Sequence, residues 1–360
     1  MAGAMQHKLL DWYAANHRAL PWKSTKDPYK IWLSEIILQQ TRVAQGTPYY
    51  LKFIKAFPTV QDLAAAKEDN VLKLWEGLGY YSRARNLHAA AKTVVNDFDG
   101  VFPNNYQDLL RLKGVGEYTA AAIASFAFDE AIAVVDGNVY RVLSRIFGIT
   151  EPIDTPQGKN LFKSIAQKEL DKEHPADYNQ AIMNFGALQC TPKNPNCNDC
   201  PFQNDCIAFK KEMIDLLPIK SKKIQKRDRF FNYFVFYDAQ HIIINKRSDQ
   251  DIWKNLYDFP MIESNKKLTS IAHLRKQSKI VDNALKQGQL VQITSNLKQV
   301  LTHQNISAQF ILIELNSLKS MELDAKWTLI LREELQHFAF PKIINTFFEN
   351  EAKILLHQAE

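Results

Sequence analysis

From residue 1 to about 210, apolar residues recur at spacings of three and four and are punctuated by proline and glycine, which predicts a run of helices with few strands. The segment from Pro28 to Arg42 is a clear helix: Asp27 can cap it, Pro28 suits its first turn and Gly46 lies just beyond its end. Another runs from Val139 to Phe147 and stops at Gly148. The pattern then changes at Pro218-Ile219-Lys220-Ser221-Lys222-Lys223-Ile224-Gln225-Lys226-Arg227, which is too basic and too weakly periodic to be core and reads as a linker. Beyond it, Arg229 to Tyr237 and His241 to Asn245 are rich in aromatic and β-branched residues, and Asp238-Ala239-Gln240 between them signals a hairpin. The expected organisation is a mainly α domain over 1–213, a basic linker over 214–228 and an α/β domain over 229–360.

Length supports the same division: 360 residues with 46% apolar and 11% aromatic side chains are ample for a core in each of two domains. No run approaches the roughly 20 apolar residues of a membrane span, and no hydrophobic leader precedes the first helix, so an intracellular protein is expected. A net charge of +6 favours a polyanionic partner without establishing one. The four cysteines, Cys190, Cys197, Cys200 and Cys206, change the picture more. They are the only ones in the chain and follow C-x6-C-x2-C-x5-C, which points to a metal or iron-sulfur site. Four thiolates suit zinc or iron-sulfur ligation alike.

Other segments carry candidate chemistry. Gly114 and Gly116 lie between the helical segments Tyr106 to Leu112 and Ala120 to Phe128. Such glycines let a ligand approach backbone closely, and the free N–H groups opening the second helix attract an anion such as a DNA phosphate, although a plain helix–helix turn reads the same. Glu35 has Ile31, Trp32, Leu38 and Gln39 at three and four residues' distance. A carboxyl on so apolar a face would have a raised pKa and serve as a general acid; the plain alternative is a partly exposed helix-edge glutamate. Asp136 closes the apolar run from Ala131 to Val135 and reads first as a helix N-cap; a fixed carboxylate there could also stabilise a sugar cation. Trp75 to Arg85 combines Gly77, Leu78, Gly79, Tyr80, Tyr81, Arg83 and Arg85. Aromatics and leucine could fill the space left by an extruded base while the arginines hold phosphates; a buried hairpin with a solvated arginine face is the other reading.

Taken together, the glycine hairpin, Val134-Val135-Asp136-Gly137-Asn138-Val139 and the cysteine pattern resemble the helix-hairpin-helix DNA glycosylases that carry an iron-sulfur cluster. Within that superfamily, Trp32-Leu33-Ser34-Glu35-Ile36-Ile37-Leu38-Gln39-Gln40-Thr41 and Gly77-Leu78-Gly79-Tyr80-Tyr81 resemble the MutY-type adenine DNA glycosylases, which remove adenine mispaired with 8-oxoguanine. The resemblance covers nearly the whole chain. It implies a two-lobed helix-hairpin-helix glycosylase domain with an iron-sulfur loop at 190–206, followed by a MutT (Nudix)-like α/β domain. It implies a structural 4Fe-4S cluster on the four cysteines, with Lys193, Lys210 and Lys211 presenting a basic surface to DNA. It further implies that Glu35 protonates the departing adenine and activates the hydrolytic step, and that Asp136 stabilises the oxocarbenium-like sugar. Tyr118 and Asn138 then support these carboxylates.

The same resemblance puts Trp22, Lys23, Val43, Gln180 and Met183 around a flipped adenine, with Gln180 reading its polar edge. Gln40, Thr41, Leu78 and Tyr80 correspond to residues that probe or wedge beside the lesion. The implied partner is double-stranded DNA with A:8-oxoguanine or A:G mispairs, bound by a monomeric, nucleoid-associated bacterial cytoplasmic enzyme of base excision repair with no membrane attachment. The endonuclease III type carries a lysine directly after the hairpin, where this chain has Tyr118, while Lys113 precedes the glycines; this implies a monofunctional glycosylase.

In the second domain, Asn245-Lys246-Arg247, Ile252-Trp253 and Asp258-Phe259-Pro260 carry the likeness to the MutT-like lesion-recognition domain. A Nudix hydrolase is not expected: Arg332-Glu333-Glu334 is similar to part of the Nudix box, but Asp324 and Leu318 stand where its upstream glutamate and glycine belong. The chain departs from the family at Leu301-Thr302-His303, where Phe-Ser-His is usual; Thr302 keeps the hydroxyl and the aromatic is lost. The rival readings are a non-catalytic DNA-binding module and an endonuclease III-like lyase.

Overall fold

The computed structural model describes residues 2–221, 225–248, 251–266, 275, 278–319, 321, 323–352 and 355, with side chains from residue 5 onward. Residues 222–224 of the expected linker lie outside this set. The chain forms two compact units, Met1–Ala65 with Asn86–Lys223, and Ala66–Arg85 with Ile224–Glu360. The second unit thus takes in a stretch, 66–85, that the sequence pattern assigned to the helical domain. Leu217, from the first part of the expected linker, is 2% exposed beside Cys206 and Ala208. Ile153 N–H bonds to the Ile219 carbonyl and Ser221 N–H to Asp154, so 214–221 is fastened to the helical unit.

Among the described residues the helical unit has no strand. Its helix Pro28–Leu38 begins as the sequence predicts: Asp27 accepts from Tyr29 N–H at 3.0 Å, and Pro28 occupies the first turn. It is apolar nearly all round, and every residue from Ile31 to Ile37 is buried. It stops four residues earlier than expected, because Gln40 takes φ +54 and turns the chain. Gly46 is therefore no terminator. It is buried inside the next helix, Val43–Ala56, where an added Cβ would lie 2.8 Å from Leu38 Cδ2.

Helix Tyr106–Leu109 is shorter than expected, and Glu117–Phe128 starts three residues sooner. Gly114 lies between them at φ +81, with Asn86 Cβ only 2.6 Å from where a side chain would begin. Helix Gly137–Phe147 is capped by Asp136 and ends on Gly148 at φ +64. It packs against Pro175–Leu188 around Val139, Val142, Leu143, Phe162 and Phe185.

In the second unit, strands β1 (Arg227–Tyr237), β2 (His241–Lys246), β3 (Tyr257–Asp258), β4 (Met261–Ser264), β5 (Gln289–Ile293), β6 (Leu297–Val300), β7 (Gln304–Glu314) and β8 (Trp327–Leu331) form one mixed sheet. Its spine runs β3-β2-β1-β7-β5, and β4, β6 and β8 pair with β1, β7 and β2. β1 and β7 are parallel from Arg227 opposite Gln304 to Tyr237 opposite Glu314. Phe231, Tyr233, Val235 and Tyr237 enter one core and Phe234 and Phe236 the other, which explains why this strand reads as a continuous apolar run.

Phe259 is fully buried against Phe310, Phe340, Phe347 and Phe348. Phe259→Ala should cost the second unit about 3 to 5 kcal/mol. In urea denaturation followed by circular dichroism, the strand-rich unit should unfold at lower denaturant while the helical transition moves little.

Candidate active site and cysteine loop

The burial of helix Pro28–Leu38 on all sides leaves Glu35 8% exposed, and the first turn of Glu117–Phe128 meets it there. Tyr118 donates its hydroxyl to Glu35 Oε2 at 2.6 Å. Desolvation pushes the Glu35 carboxyl up to about 7, with Asp136 adding to the rise while the Tyr118 bond and Lys23 oppose it. Burial and the two carboxylates hold the Tyr118 hydroxyl well above its ordinary value, so it remains a donor. The sequence alternative of an exposed helix-edge glutamate does not describe Glu35.

Asp136 is both N-cap and cavity residue. Its Oδ1 accepts from the backbone N–H groups of Asn138 and Val139, each at 2.8 Å, and its Oδ2 accepts from Asn138 Nδ2 at 2.7 Å. These donors favour the carboxylate, yet burial leaves its pKa raised. Glu35, Asp136, Tyr118 and Asn138 line one cavity of about 600 Å³ with Trp22, Lys23, Thr41, Val43, Gln180 and Met183. Burial and Arg18 push Lys23 down to about 8, with Glu35 opposing.

Other expected site residues are disposed differently. Gln40 is exposed at its left-handed turn and is absent from the cavity wall. Gly116 caps helix Glu117–Phe128 with open space where a side chain would begin, so its backbone is approachable, while Gly114 is packed on Asn86. Leu78, Tyr80, Arg83, Arg85, Thr302 and His303 all belong to the second unit. Tyr80, at φ +49 and 49% exposed, has its hydroxyl 2.8 Å from Thr302 Oγ1. His303 is exposed, and its carbonyl accepts from Arg227 N–H.

The expected DNA-facing wedge and arginines need correction. Leu78 is a packed side chain, 6% exposed. Arg83 is 8% exposed, lies over the rings of Trp75 and Tyr80, and donates to the Gly79 carbonyl; burial pushes it down to about 10. Arg85 donates to the Lys254 carbonyl at 2.8 Å. Arg83 is therefore not laid out as a surface phosphate contact, whereas Arg85 is only partly buried.

None of the four cysteines is in a disulfide, and all four line one small cavity with Arg145, Phe185 and Phe202. Among the described residues, no group of three or more cysteine, histidine or acidic side chains is set to hold a metal ion. Burial raises Cys197, Cys200 and Cys206, Cys200 to about 11, and neighbouring sulfurs add to each rise. Four thiolates can therefore coexist there only around a cationic centre, which is what a cluster or metal supplies. Lys193, Lys210 and Lys211 are exposed on the same loop region.

Sequence reasoning missed four residues here. Arg18 and Asn184 line the cavity, and Arg18 donates to Asn184 Oδ1 at 2.9 Å. Arg141, 8% exposed, donates to the Cys190 carbonyl at 2.7 Å, to Asn138 Oδ1 at 2.8 Å and to the Gly186 carbonyl at 2.6 Å. Arg145, 1% exposed, lies 3.4 Å from Cys190 Sγ and donates to the Thr191 and Pro192 carbonyls. Two arginines four apart on a helix otherwise rich in buried Val, Leu and Ile were the available signal for the second pair. Arg18 offered none.

The chain is similar to known proteins over both of its units. Residues 33–168 match the family model for HhH-GPD superfamily base excision DNA repair protein, and residues 232–350 match a NUDIX domain. A solved thermostable thymine-DNA glycosylase superposes with a TM-score of 0.55 at 29% identity, covering 58% of this chain and 97% of that one. The class is thus a helix-hairpin-helix DNA glycosylase fold joined to a Nudix-like sheet domain. The adenine DNA glycosylase of Buchnera aphidicola subsp. Schizaphis graminum (strain Sg) is 38% identical over 286 residues, 78% of this chain and 81% of the relative. The Homo sapiens adenine DNA glycosylase is 44% identical over 215 residues, 57% of this chain and 39% of the relative. The chain belongs to the adenine DNA glycosylase family.

The raised Glu35 pKa has a stability consequence. For an acid whose folded pKa lies above its unfolded one, the ionised form burdens the native state at high pH, and the burden fades as pH falls from about 7 toward 4.5. Glu35→Gln should therefore stabilise the protein at pH 8 by up to about 3 kcal/mol and have little effect near pH 4.5, as read by urea denaturation at the two pH values.

Proposed function

We propose that the chain is a monofunctional adenine DNA glycosylase of base excision repair, hydrolysing the N-glycosidic bond of adenine opposite 8-oxoguanine or guanine after flipping the base from the duplex. The observation that carries this is a neutral-leaning Glu35 and a donor-held Asp136 on one cavity of about 600 Å³, ample for a purine. Glu35 gives its proton to the base as the C1′–N9 bond breaks and adenine departs. The positive charge left on the sugar is met by the Asp136 carboxylate, held by Asn138 and two backbone N–H groups. Glu35, now ionised, takes a proton from water as that oxygen bonds to C1′, leaving an abasic sugar. The phenol at position 118 supplies no amine for attack on the sugar, which supports hydrolysis over a lyase route.

The Tyr80–Thr302 pair is the proposed reader of the base opposite adenine, with Thr302 supplying the hydroxyl. Cys190, Cys197, Cys200 and Cys206 would hold a 4Fe-4S cluster, whose contribution when bound is a cationic centre that fixes the loop. Arg141 ties that loop's Cys190 carbonyl to Asn138 and hence to Asp136.

Glu35→Gln and Asp136→Asn should each slow adenine release from an A:8-oxoguanine duplex by roughly 100- to 10,000-fold while duplex binding is kept. The wild-type rate should fall as pH rises above about 7, because less Glu35 is protonated. Full activity in either variant, measured in single-turnover assays with A:G and A:T duplexes alongside, overturns the mechanism. Strong borohydride trapping of the wild type on DNA overturns the monofunctional assignment. The purified protein should also absorb in the visible range of thiolate–iron charge transfer, with acid-labile iron and sulfide; a colourless zinc protein refutes the cluster.

A further inference from the structure

Gln180 lies on the cavity wall, and its carbonyl oxygen is already engaged: Tyr13 donates its hydroxyl to Gln180 Oε1 at 3.0 Å. The direction of that bond is fixed from the other side. Lys23 Nζ lies 3.3 Å from the Tyr13 oxygen and 5.2 Å from the centre of its ring, and an ammonium can only donate. The phenol oxygen therefore receives the Lys23 N–H, and the single phenol hydrogen is directed to Gln180. Tyr13 itself is half-buried on helix Ala2–Asn16 and is absent from the cavity wall.

A glutamine amide left alone can turn over and offer either its oxygen or its nitrogen. With Oε1 bound to Tyr13, Gln180 has its N–H groups left for the cavity. We infer that Tyr13 is a specificity-positioning residue: it locks Gln180 so that the polar edge of the flipped base meets a donor. A bare ring nitrogen such as adenine N1 accepts from that donor, whereas the same position in guanine carries a hydrogen and opposes it. Tyr13 acts through Gln180 and never touches the base. The inference rests on the cavity being the adenine pocket.

The test uses full-length enzyme and duplexes carrying adenine or 1-deazaadenine opposite 8-oxoguanine. Wild type should show a KM about five- to tenfold higher for 1-deazaadenine, the loss expected for one hydrogen bond. In Tyr13→Phe, KM for adenine should rise by a similar factor with kcat changed less than threefold, and the 1-deaza penalty should shrink below twofold. In a Gln180→Ala background, Tyr13→Phe should add less than twofold, because the two act as one unit. Thermal melts check that each variant folds. A 1-deaza penalty that is missing in wild type, or unchanged in Tyr13→Phe, overturns the inference, as does a Tyr13→Phe effect that persists in full without Gln180. A wild-type enzyme that releases no adenine from any duplex defeats the functional reading instead, and so the two failures are distinguishable.

Discussion

The candidate active site depends on one costly arrangement, a carboxyl taken out of water between two helices. Glu35 could not be an acid near neutrality on a solvated helix face, where its proton would be lost more than two pH units lower. The seam of Pro28–Leu38 against Glu117–Phe128 supplies the desolvation, because both helices are apolar nearly all round. Tyr118 keeps that desolvation from going too far. Its hydroxyl stabilises the ionised form, which the proposed hydrolysis would use in its second half, so the pair sits near the point where both protonation states are accessible.

Asp136 solves the opposite problem. The proposed role requires it to stay anionic in the same cavity, and burial works against it. The solution is local: a helix N-terminus supplies two N–H donors, and Asn138 a third. The bland role foreseen from sequence, helix capping, is thus the physical means of the catalytic role proposed for Asp136. Asn138 is in turn held by Arg141 and by the close approach of Gly186, where an added Cβ would lie 2.6 Å from Asn138 Cβ. Since Arg141 also binds the Cys190 carbonyl, the cysteine loop and the aspartate share one rigid support.

Local signals were the legible ones. Asp27, Pro28 and Gly148 marked helix ends because their chemistry acts within a few residues, and the aromatic and β-branched run of β1 announced a strand. The early turn at Gln40 was illegible because a non-glycine residue adopts the left-handed region there, and the packing of Gly46 on Leu38 is a tertiary constraint. The motif residues of the cavity were found through resemblance, whereas Arg18 and Asn184 were not, because a lone arginine or asparagine in sequence looks like a solvated surface residue.

The stretch 66–85 was the least legible part, and its electrostatics explain why. Asn255 donates to Glu68, Lys246 and Tyr257 donate to Asp69, and Glu76 meets the Phe340 N–H and Asn345. Each contact spans more than 170 residues of sequence, so no local pattern encodes it. The same anchoring explains why Tyr80 can meet Thr302 across 222 positions: the loop bearing it is tied at both ends to the sheet unit that carries its partner. A hydroxyl pair assembled from such distant parts is only as well placed as those anchoring carboxylates, which makes Asp69 and Glu76 determinants of its geometry although neither touches it.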